Sequence, residues 1–309
     1  MSLTLQILVS GFAAGGVYGL FGVGHAVVYR LTGVVHLALG DLVALAVFTT
    51  LFVAAGTGPL TQSSGGARFW LGLLVGFAVC LLAGAGGYLA AIQPYLARGW
   101  TVGWVAATLA LGFAVRALLE AAFPRPSYVF PDPFRIGRVG NDGVVDVAGA
   151  SVQIRSLFVI GVVVALAAAA AWLLERTRFG RALHAVAADA DGARFVGIPV
   201  ERYVTLAFAL AGGLAALGAI AAAPAAPFDV QTGALLGLKG LAAAVVVGFV
   251  SPWRALAAGV AFGVLEATIA NVDLGGLSLG PSYREVLPFA LVLVLLAVRP
   301  FAEAANERE

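Results

Sequence analysis

The sequence predicts an all-α polytopic membrane protein: one transmembrane domain over residues 1–309, built as a bundle of 8–9 transmembrane helices. Hydrophobic residues make up 61% of the chain and charged residues only 11%, whereas soluble domains hold about 45–50% and about 25%. Several apolar windows of the sequence reach the roughly 20 residues that are needed to span a bilayer. They lack the polar–apolar alternation of membrane β-barrel strands.

The apolar windows place the helices in chain order. They are 5–29, 36–55, 69–92, 101–122, 156–174, 203–223, 238–250, 254–272 and 283–299. The first has no charged residue before Arg30, so it lacks the basic segment of a cleavable signal peptide and is expected to remain as a span. The seventh is about half a span long at ~1.5 Å per residue, which predicts one broken or re-entrant helix there.

The segment 123–155 is expected to form an extracytoplasmic loop. Its stretch FPRPSYVFPDPF contains four prolines, which favour an extended chain. The stretch VVDVAGASVQI favours two short strands around Ala148-Gly149, a β-hairpin-like unit. With segment 175–202 in the cytoplasm, ten of the 18 basic residues fall on the cytoplasmic side, which places the N-terminus outside.

The segment 175–202 is a polar island with nine charged side chains. Asp189 and Asp191 offer N-cap oxygens for a short helix over 192–196, and Gly197 is suited to end it. A preceding helix over 179–187 is amphipathic, with an apolar stripe of Phe179, Ala182, Leu183, Val186 and Ala187. An exposed stripe needs a cover of lipid headgroups or a partner protein, unless the segment is an ordinary connecting loop.

The stretch GRALHAVAADADGARFVGIPVERYVTLAFALAGGLAALGAI resembles the cytoplasmic loop and following helix of branched-chain amino acid ABC transporter permeases. The matching positions are Gly180, Arg181, Ala182, Ala188, Asp189, Ala193, Gly197 and Ile198. The resemblance continues through GGVYGLFGVGHAVVYRLTGVVHLALGD, GLKGLAAAVVVGF, GVLEATI and SYREVLPFALVLVLLAVRP. The chain departs from the family at His36–Asp41, usually Asn-Phe-Ala-His-Gly-Glu, and at the glycine-rich break near Pro252, which leaves the solute open.

The resemblance implies a permease subunit of an ATP-driven importer in the bacterial inner (plasma) membrane, for branched-chain amino acids or a related small solute. It implies four partners: ABC ATPase subunits, a second permease subunit of the same or another kind, an extracytoplasmic solute-binding protein and membrane lipid. ATP would bind the ATPase subunit, and this chain would need no cofactor. The segment 175–202 would be the coupling loop, with ATPase contacts at Phe179, Gly180, Arg181, Ala182, Leu183, Val186, Asp189, Ala193, Gly197 and Ile198. Aspartate at Phe179 or Leu183 is then expected to abolish transport without preventing membrane insertion.

Ionisable side chains within the windows mark candidate positions on a solute path, because each costs ~2.5–3.5 kcal/mol or more at mid-bilayer. The candidates are His36, Asp41 and Glu266, and His25 lies near the end of the first window. Each has a structural alternative, which is helix capping for His36 and Asp41 and a packing hydrogen bond for Glu266. Arg116 and Glu120 are four residues apart, a spacing that predicts an ion pair along one helix.

Other functional classes each require their own sequence motifs. The three histidines form no His-Glu-x-x-His zinc motif, and no Walker A sequence occurs, so neither metal nor catalytic residues are expected. A net charge of +2 does not favour nucleic acid. The alternatives are the same transporter class for urea, short amides, aromatic acids or sugars, or a stand-alone ion-coupled carrier, which needs a deep charged relay.

Overall fold

The computed structural model describes residues 2–55, 67–98, 103–130, 144–147, 150–271, 273–274, 277–278 and 289–290. Most of these residues are helical. The helices are α1 Ser2–Thr32, α2 Leu39–Ala55, α3 Ala67–Gly87, α4 Gln93–Leu96, α5 Gly103–Ala122, α6 Ile154–Ala171, α7 Arg178–Ala188, α8 Ala190–Phe195, α9 Val200–Ala222, α10 Val230–Val246 and α11 Pro252–Asn271. A π-helical turn prolongs α3 over Tyr88–Ile92, and another prolongs α6 over Trp172–Arg176.

Six helical stretches of the described chain are long and apolar enough to cross a membrane. They are Thr4–Thr32, Ala67–Leu96, Gly103–Ala122, Ile154–Arg176, Val200–Ala225 and Pro252–Asn271. The apolar helices α2 and α10 have 17 residues each, or about 26 Å at ~1.5 Å per residue. These helices are those of a multi-pass membrane protein, as the composition predicts.

The prediction for the seventh apolar window, 238–250, was wrong. The sequence predicts a short broken or re-entrant helix over 238–250, but α10 is one continuous helix over Val230–Val246. It begins earlier because Asp229 forms a capping box: its carboxylate accepts from the Thr232 N–H, and the Thr232 hydroxyl accepts from the Asp229 N–H. The break comes after the helix, where Gly248 and Phe249 have φ of 65° and 56°. Of the ninth window, 283–299, only 289–290 lies within the described residues.

Helix α1 lies at the centre of the bundle, in contact with α6, α9, α10 and α11. Its closest approach is to α11, where glycines on both helices let the backbones meet. A Cβ atom on Gly15 would lie 2.6 Å from the carbonyl oxygen of Val260, so no larger residue fits without moving a helix. The small-residue spacing of the sequence therefore does mark a tight helix contact.

Two short antiparallel strand pairs lie outside the helices. Strand β1, Val144–Val147, pairs with β2, Ala150–Gln153, with Val145 opposite Val152. The predicted turn residues Ala148 and Gly149 lie outside the described residues. Strands β3, Asp273–Leu274, and β4, Leu277–Ser278, form the second pair.

The outer faces of α3 and α6 are apolar. Their exposed large side chains include Leu74, Leu82, Val164 and Trp172, which are 61–73% exposed. Such side chains suit contact with lipid tails.

Candidate functional site

A cavity of about 210 Å³ lies between α1, α2, α5 and α10. Large apolar side chains form much of its wall, namely Leu37, Leu109, Phe113, Leu238 and Leu241. Four polar side chains also line it: His25, Asp41, Thr108 and Arg116. The cavity therefore offers one charged pair inside a largely apolar lining.

The charged pair joins α2 to α5. Arg116 donates two hydrogen bonds to one oxygen of Asp41, from Nη2 at 2.9 Å and from Nε at 3.2 Å. The Asp41 side chain is 7% exposed and the Arg116 side chain 27% exposed. Asp41 stands in the first turn of α2, where the helix dipole favours a carboxylate. Its second oxygen lies against Gly112, where a Cβ atom would approach to 2.5 Å.

The partner of Arg116 differs from the sequence prediction. Spacing along one helix predicts Glu120, but in the described structure Arg116 instead binds Asp41, 75 residues away in the chain. The reason is tertiary, because α2 packs beside α5 and brings the buried carboxylate within reach. A cross-helix pair has no spacing rule from which sequence could predict it.

Two buried histidines lie near this pair. Neither ring nitrogen of His36 has a hydrogen-bond partner among the described residues, and the His25 ring lies against the backbone of Gly237 in α10. His25 lines the cavity. The His36 ring instead packs against Phe208 of α9, with 5.4 Å between ring centroids. The structure thus brings Asp41 and His25 to one cavity and leaves His36 at the neighbouring helix contact.

A second ion pair is buried between α10 and α11. Lys239 Nζ lies 3.0 and 3.1 Å from the two carboxylate oxygens of Glu266, and 3.3 Å from the Tyr18 hydroxyl of α1. The Lys239 and Glu266 side chains are 6% and 2% exposed. Sequence reasoning identified Glu266 but missed Lys239. The signal was present, because Lys239 is the chain's only lysine and stands in an apolar window.

The polar island folds as two capped helices. The Thr177 hydroxyl accepts a hydrogen bond from the Gly180 N–H at the start of α7. Asp189 caps α8 as predicted, by accepting from the N–H groups of Asp191 and Gly192. Gly197 follows α8 with a φ of 84°. The predicted helices 179–187 and 192–196 are thus found as Arg178–Ala188 and Ala190–Phe195.

An arginine fixes α8 to the start of α9. Arg194 donates to Glu201 at 2.8 Å and to Asp191 at 2.7 Å. The hydrogen bonds to Glu201 and Asp191 raise the pKa of Arg194 above its ordinary value. The orientation of α8 is therefore restrained at its C-terminal end.

The apolar stripe of α7 is not exposed, contrary to the sequence expectation. Leu183 and Val186 are 4% and 3% exposed, and Ala182 is also buried. Phe179 is half-buried and stacks on Tyr203 of α9, with 5.7 Å between centroids. The stripe packs on α1 and α9 of the same chain, so no lipid or partner is needed to cover it.

The large apolar side chains that the island does expose come at the end of α8. Phe195 is 91% exposed and Val196 is 76% exposed. Sequence reasoning missed both, because they fall outside the α7 stripe. The available signal was two bulky apolar residues directly before Gly197, at the tip of a polar loop.

Comparisons with known proteins agree with this architecture. Residues 7–296 match the family described as branched-chain amino acid transport system, permease component. The chain is 26% identical over 307 residues to the high-affinity branched-chain amino acid transport system permease protein BraD of Pseudomonas aeruginosa, covering 96% of this chain and 94% of BraD. It is 25% identical over 310 residues to LivH of Escherichia coli K12, a permease protein of the same description, with the same coverage. A shorter match, 43% over 84 residues, joins it to the autoinducer 2 import system permease protein LsrC of Salmonella paratyphi B, covering 27% of this chain and 24% of LsrC.

Proposed function

Because the chain belongs to the branched-chain amino acid transport system permease family, we propose that it forms the membrane path of an ATP-driven importer of branched-chain amino acids in the bacterial inner membrane. The match over residues 7–296 carries this proposal, since it includes nearly the whole chain. BraD and LivH support the choice of solute, because both are described as branched-chain amino acid permease proteins. ATP would be bound and hydrolysed by a separate subunit.

The proposed topology has nine crossings. The six long helical stretches and the shorter α2 and α10 would each cross once. The sequence predicts the ninth crossing at window 283–299, of which only 289–290 lies within the described residues. With the N-terminus outside, segment 123–155 and its β1–β2 pair lie on the outer side, where a solute-binding protein would dock. Segment 175–202 then lies in the cytoplasm, where the ATPase subunits would dock, in agreement with the arginine bias.

The proposed ATPase contact is the exposed surface of α7 and α8. The structure favours Phe195 and Val196 as its apolar centre, with Arg178 and Arg181 exposed on the same loop. Several residues of the sequence-derived contact set are buried and would support the loop's shape from beneath: Gly180, Ala182, Leu183, Val186 and Ala193. Arg181, Asp189 and Gly197 are exposed and stay in the proposed contact.

The packing of α7 gives a route from this loop to the cavity. Val186 belongs to one apolar cluster with Val28 of α1, three residues after the cavity-lining His25. Contacts that differ between two states can shift the equilibrium between them. A complete reversal from 1:99 to 99:1 needs ~5.5 kcal/mol of differential binding, which the ATPase would supply through this loop.

The proposed site for a second permease subunit is the face of α5 and α10. Leu109, Phe113 and Leu238 are 43–61% exposed there, beside the partly exposed Arg116. Exposing an ion pair to lipid tails costs free energy, whereas exposing the apolar faces of α3 and α6 to lipid does not. A second permease subunit would cover this face and remove the charges from lipid.

We assign the roles of the three predicted path residues from the contacts that each one makes. Asp41 lines the cavity and remains our first path residue, whereas His36 would support it from the α9 side. Glu266 remains a prediction for the path. Its pairing with Lys239 supports the alternative of a packing contact.

The test is ATP-dependent uptake by proteoliposomes that contain this permease, its ATPase subunits and a loaded solute-binding protein. We expect uptake of leucine, isoleucine and valine. Uptake restricted to urea, short amides, aromatic acids or sugars would instead establish the alternative solute class. Uptake without the ATPase would establish an ion-coupled carrier.

Two matched variants test the docking surface. Phe195→Asp should keep the melting temperature, because the side chain is 91% exposed, but lose the bound ATPase and the uptake. Leu183→Asp places a charge at a 4% exposed site and should destabilise the protein itself. Normal ATPase binding and uptake by the Phe195→Asp variant would refute this docking surface.

A further inference from the structure

We infer that Asp41 and Arg116 exchange their mutual ion pair for contacts with the two charged main-chain groups of a transported amino acid, an assignment that rests on the proposed function. Arg116 would bind the solute's carboxylate, and Asp41 would bind its ammonium group. The remaining cavity would receive the aliphatic side chain. The pair would re-form once the solute has passed.

The geometry of the pair suits such an exchange. Both hydrogen bonds from Arg116 end on a single oxygen of Asp41. The strongest arginine–carboxylate pairs use two parallel bonds to two oxygens, and this one does not. Arg116 is also 27% exposed, so its guanidinium is accessible from the cavity before the pair opens.

A zwitterionic amino acid makes the exchange favourable because it supplies a partner for each of the two protein charges, which other solutes do not. Opening the pair alone leaves two opposite charges unpaired in an apolar lining, which is strongly unfavourable. A zwitterion brings one charge of each sign, so each protein charge gains a new partner as it loses the old one. A solute without both charges would leave Asp41 or Arg116 uncompensated.

The rest of the cavity supports a solute of this class. Its volume of about 210 Å³ exceeds the ~150 Å³ of an engineered protein cavity that binds benzene. Leu109, Phe113 and Leu238 provide apolar surface for a branched side chain. His25 lines the same cavity, where its ring lies against the backbone of Gly237.

The experiment is photolabelling of the purified, full-length permease by a diazirine analogue of leucine at millimolar concentration. We expect label on the cavity-facing turn 109–113 of α5, removed by excess leucine but not by leucinamide, which lacks the carboxylate. The decisive variant is Asp41→Asn with Arg116→Gln. It removes both charges together, so no unpaired charge destabilises the fold, and the two amides can still hydrogen-bond across the helices.

This double variant should keep its melting temperature and lose the label at least about tenfold. The matched control is Lys239→Met with Glu266→Leu, which removes the other buried pair and should keep the label within about threefold. Label that persists in the Asp41→Asn, Arg116→Gln variant would overturn the exchange. So would an absence of label from the cavity in a wild-type protein that takes up leucine in proteoliposomes. Labelling that follows the expected pattern without leucine uptake would count against the proposed function alone.

Discussion

Two ion pairs stand inside the same apolar bundle, and their surroundings give them different properties. Lys239 engages both carboxylate oxygens of Glu266, and both side chains are at most 6% exposed. Arg116 engages one oxygen of Asp41 and is 27% exposed at a cavity. The same chemistry therefore joins two helices where it is buried, and under our proposal it is available to a solute where it borders a cavity.

The difference originates in the neighbouring helix contacts. Glycines bring the backbones of α1 and α11 into contact near the Lys239–Glu266 pair, whose side chains are 6% and 2% exposed. The helices α5 and α10 approach less closely, and their gap is the cavity lined by Leu109 and Leu238. The pair beside the tight helix contact is thus buried, and the pair beside the wider gap borders a cavity.

The largest expected effect comes from breaking the sealed pair. Glu266→Gln leaves the Lys239 ammonium group buried without its carboxylate, which should lower the free energy of unfolding by ~3–5 kcal/mol. SDS titration in mixed micelles would measure it. The double change Lys239→Met with Glu266→Leu removes both charges and should recover most of the loss. If the double variant were as unstable as Glu266→Gln, the buried unpaired charge of Lys239 could not explain the loss of stability.

A smaller effect should follow from opening the α1–α11 contact near this pair. Gly15→Ala places a Cβ atom 2.6 Å from the Val260 carbonyl oxygen, so α1 and α11 must separate. Overpacking of this kind typically lowers the free energy of unfolding by ~1–3 kcal/mol. Gly161→Ala on α6 is the control, because a Cβ atom there meets nothing within 4 Å. Equal stability of the two variants in the same SDS titration would show that the α1–α11 contact tolerates expansion.

The smallest effect on stability is expected at the open pair. Asp41→Asn leaves Arg116 without a carboxylate, but the new amide oxygen can still accept a hydrogen bond from the guanidinium at the edge of the cavity. The free energy of unfolding should fall by about 1–2 kcal/mol, in the lower part of the range for an unsatisfied buried group. The same titration measures this variant beside Glu266→Gln. A loss as large as that of Glu266→Gln would mean that the Asp41–Arg116 pair is sealed as well.

Much of the fold could be predicted from the sequence, because a membrane helix needs an unbroken apolar run that is visible without tertiary information. The clearest error was α10, whose polar start at Asp229–Thr232 resembles a loop until the capping box is recognised. The caps of the polar island at Asp189 and Gly197 were predictable because they depend on residues adjacent in the chain.

The site was less predictable, because its contacts join residues distant in sequence. Asp41 and Glu266 were identified as costly ionisable groups, but their partners Arg116 and Lys239 lie on other helices. The apolar stripe of α7 shows the same limit, because its pattern could be predicted but its burial could not. Its amphipathic period was correct, yet only the packing of α1 and α9 shows that the chain covers Leu183 by itself and leaves Phe195 exposed.

The sequence by itself determined that this chain is a helical membrane protein with one capped polar island, since hydrophobicity and capping act over one to twenty adjacent residues. Tertiary structure alone decided which charges pair, which pair is sealed and which apolar residues are exposed. These outcomes depend on how closely helices approach, and that distance is set by small residues such as Gly15 and Gly112 meeting partners far along the chain.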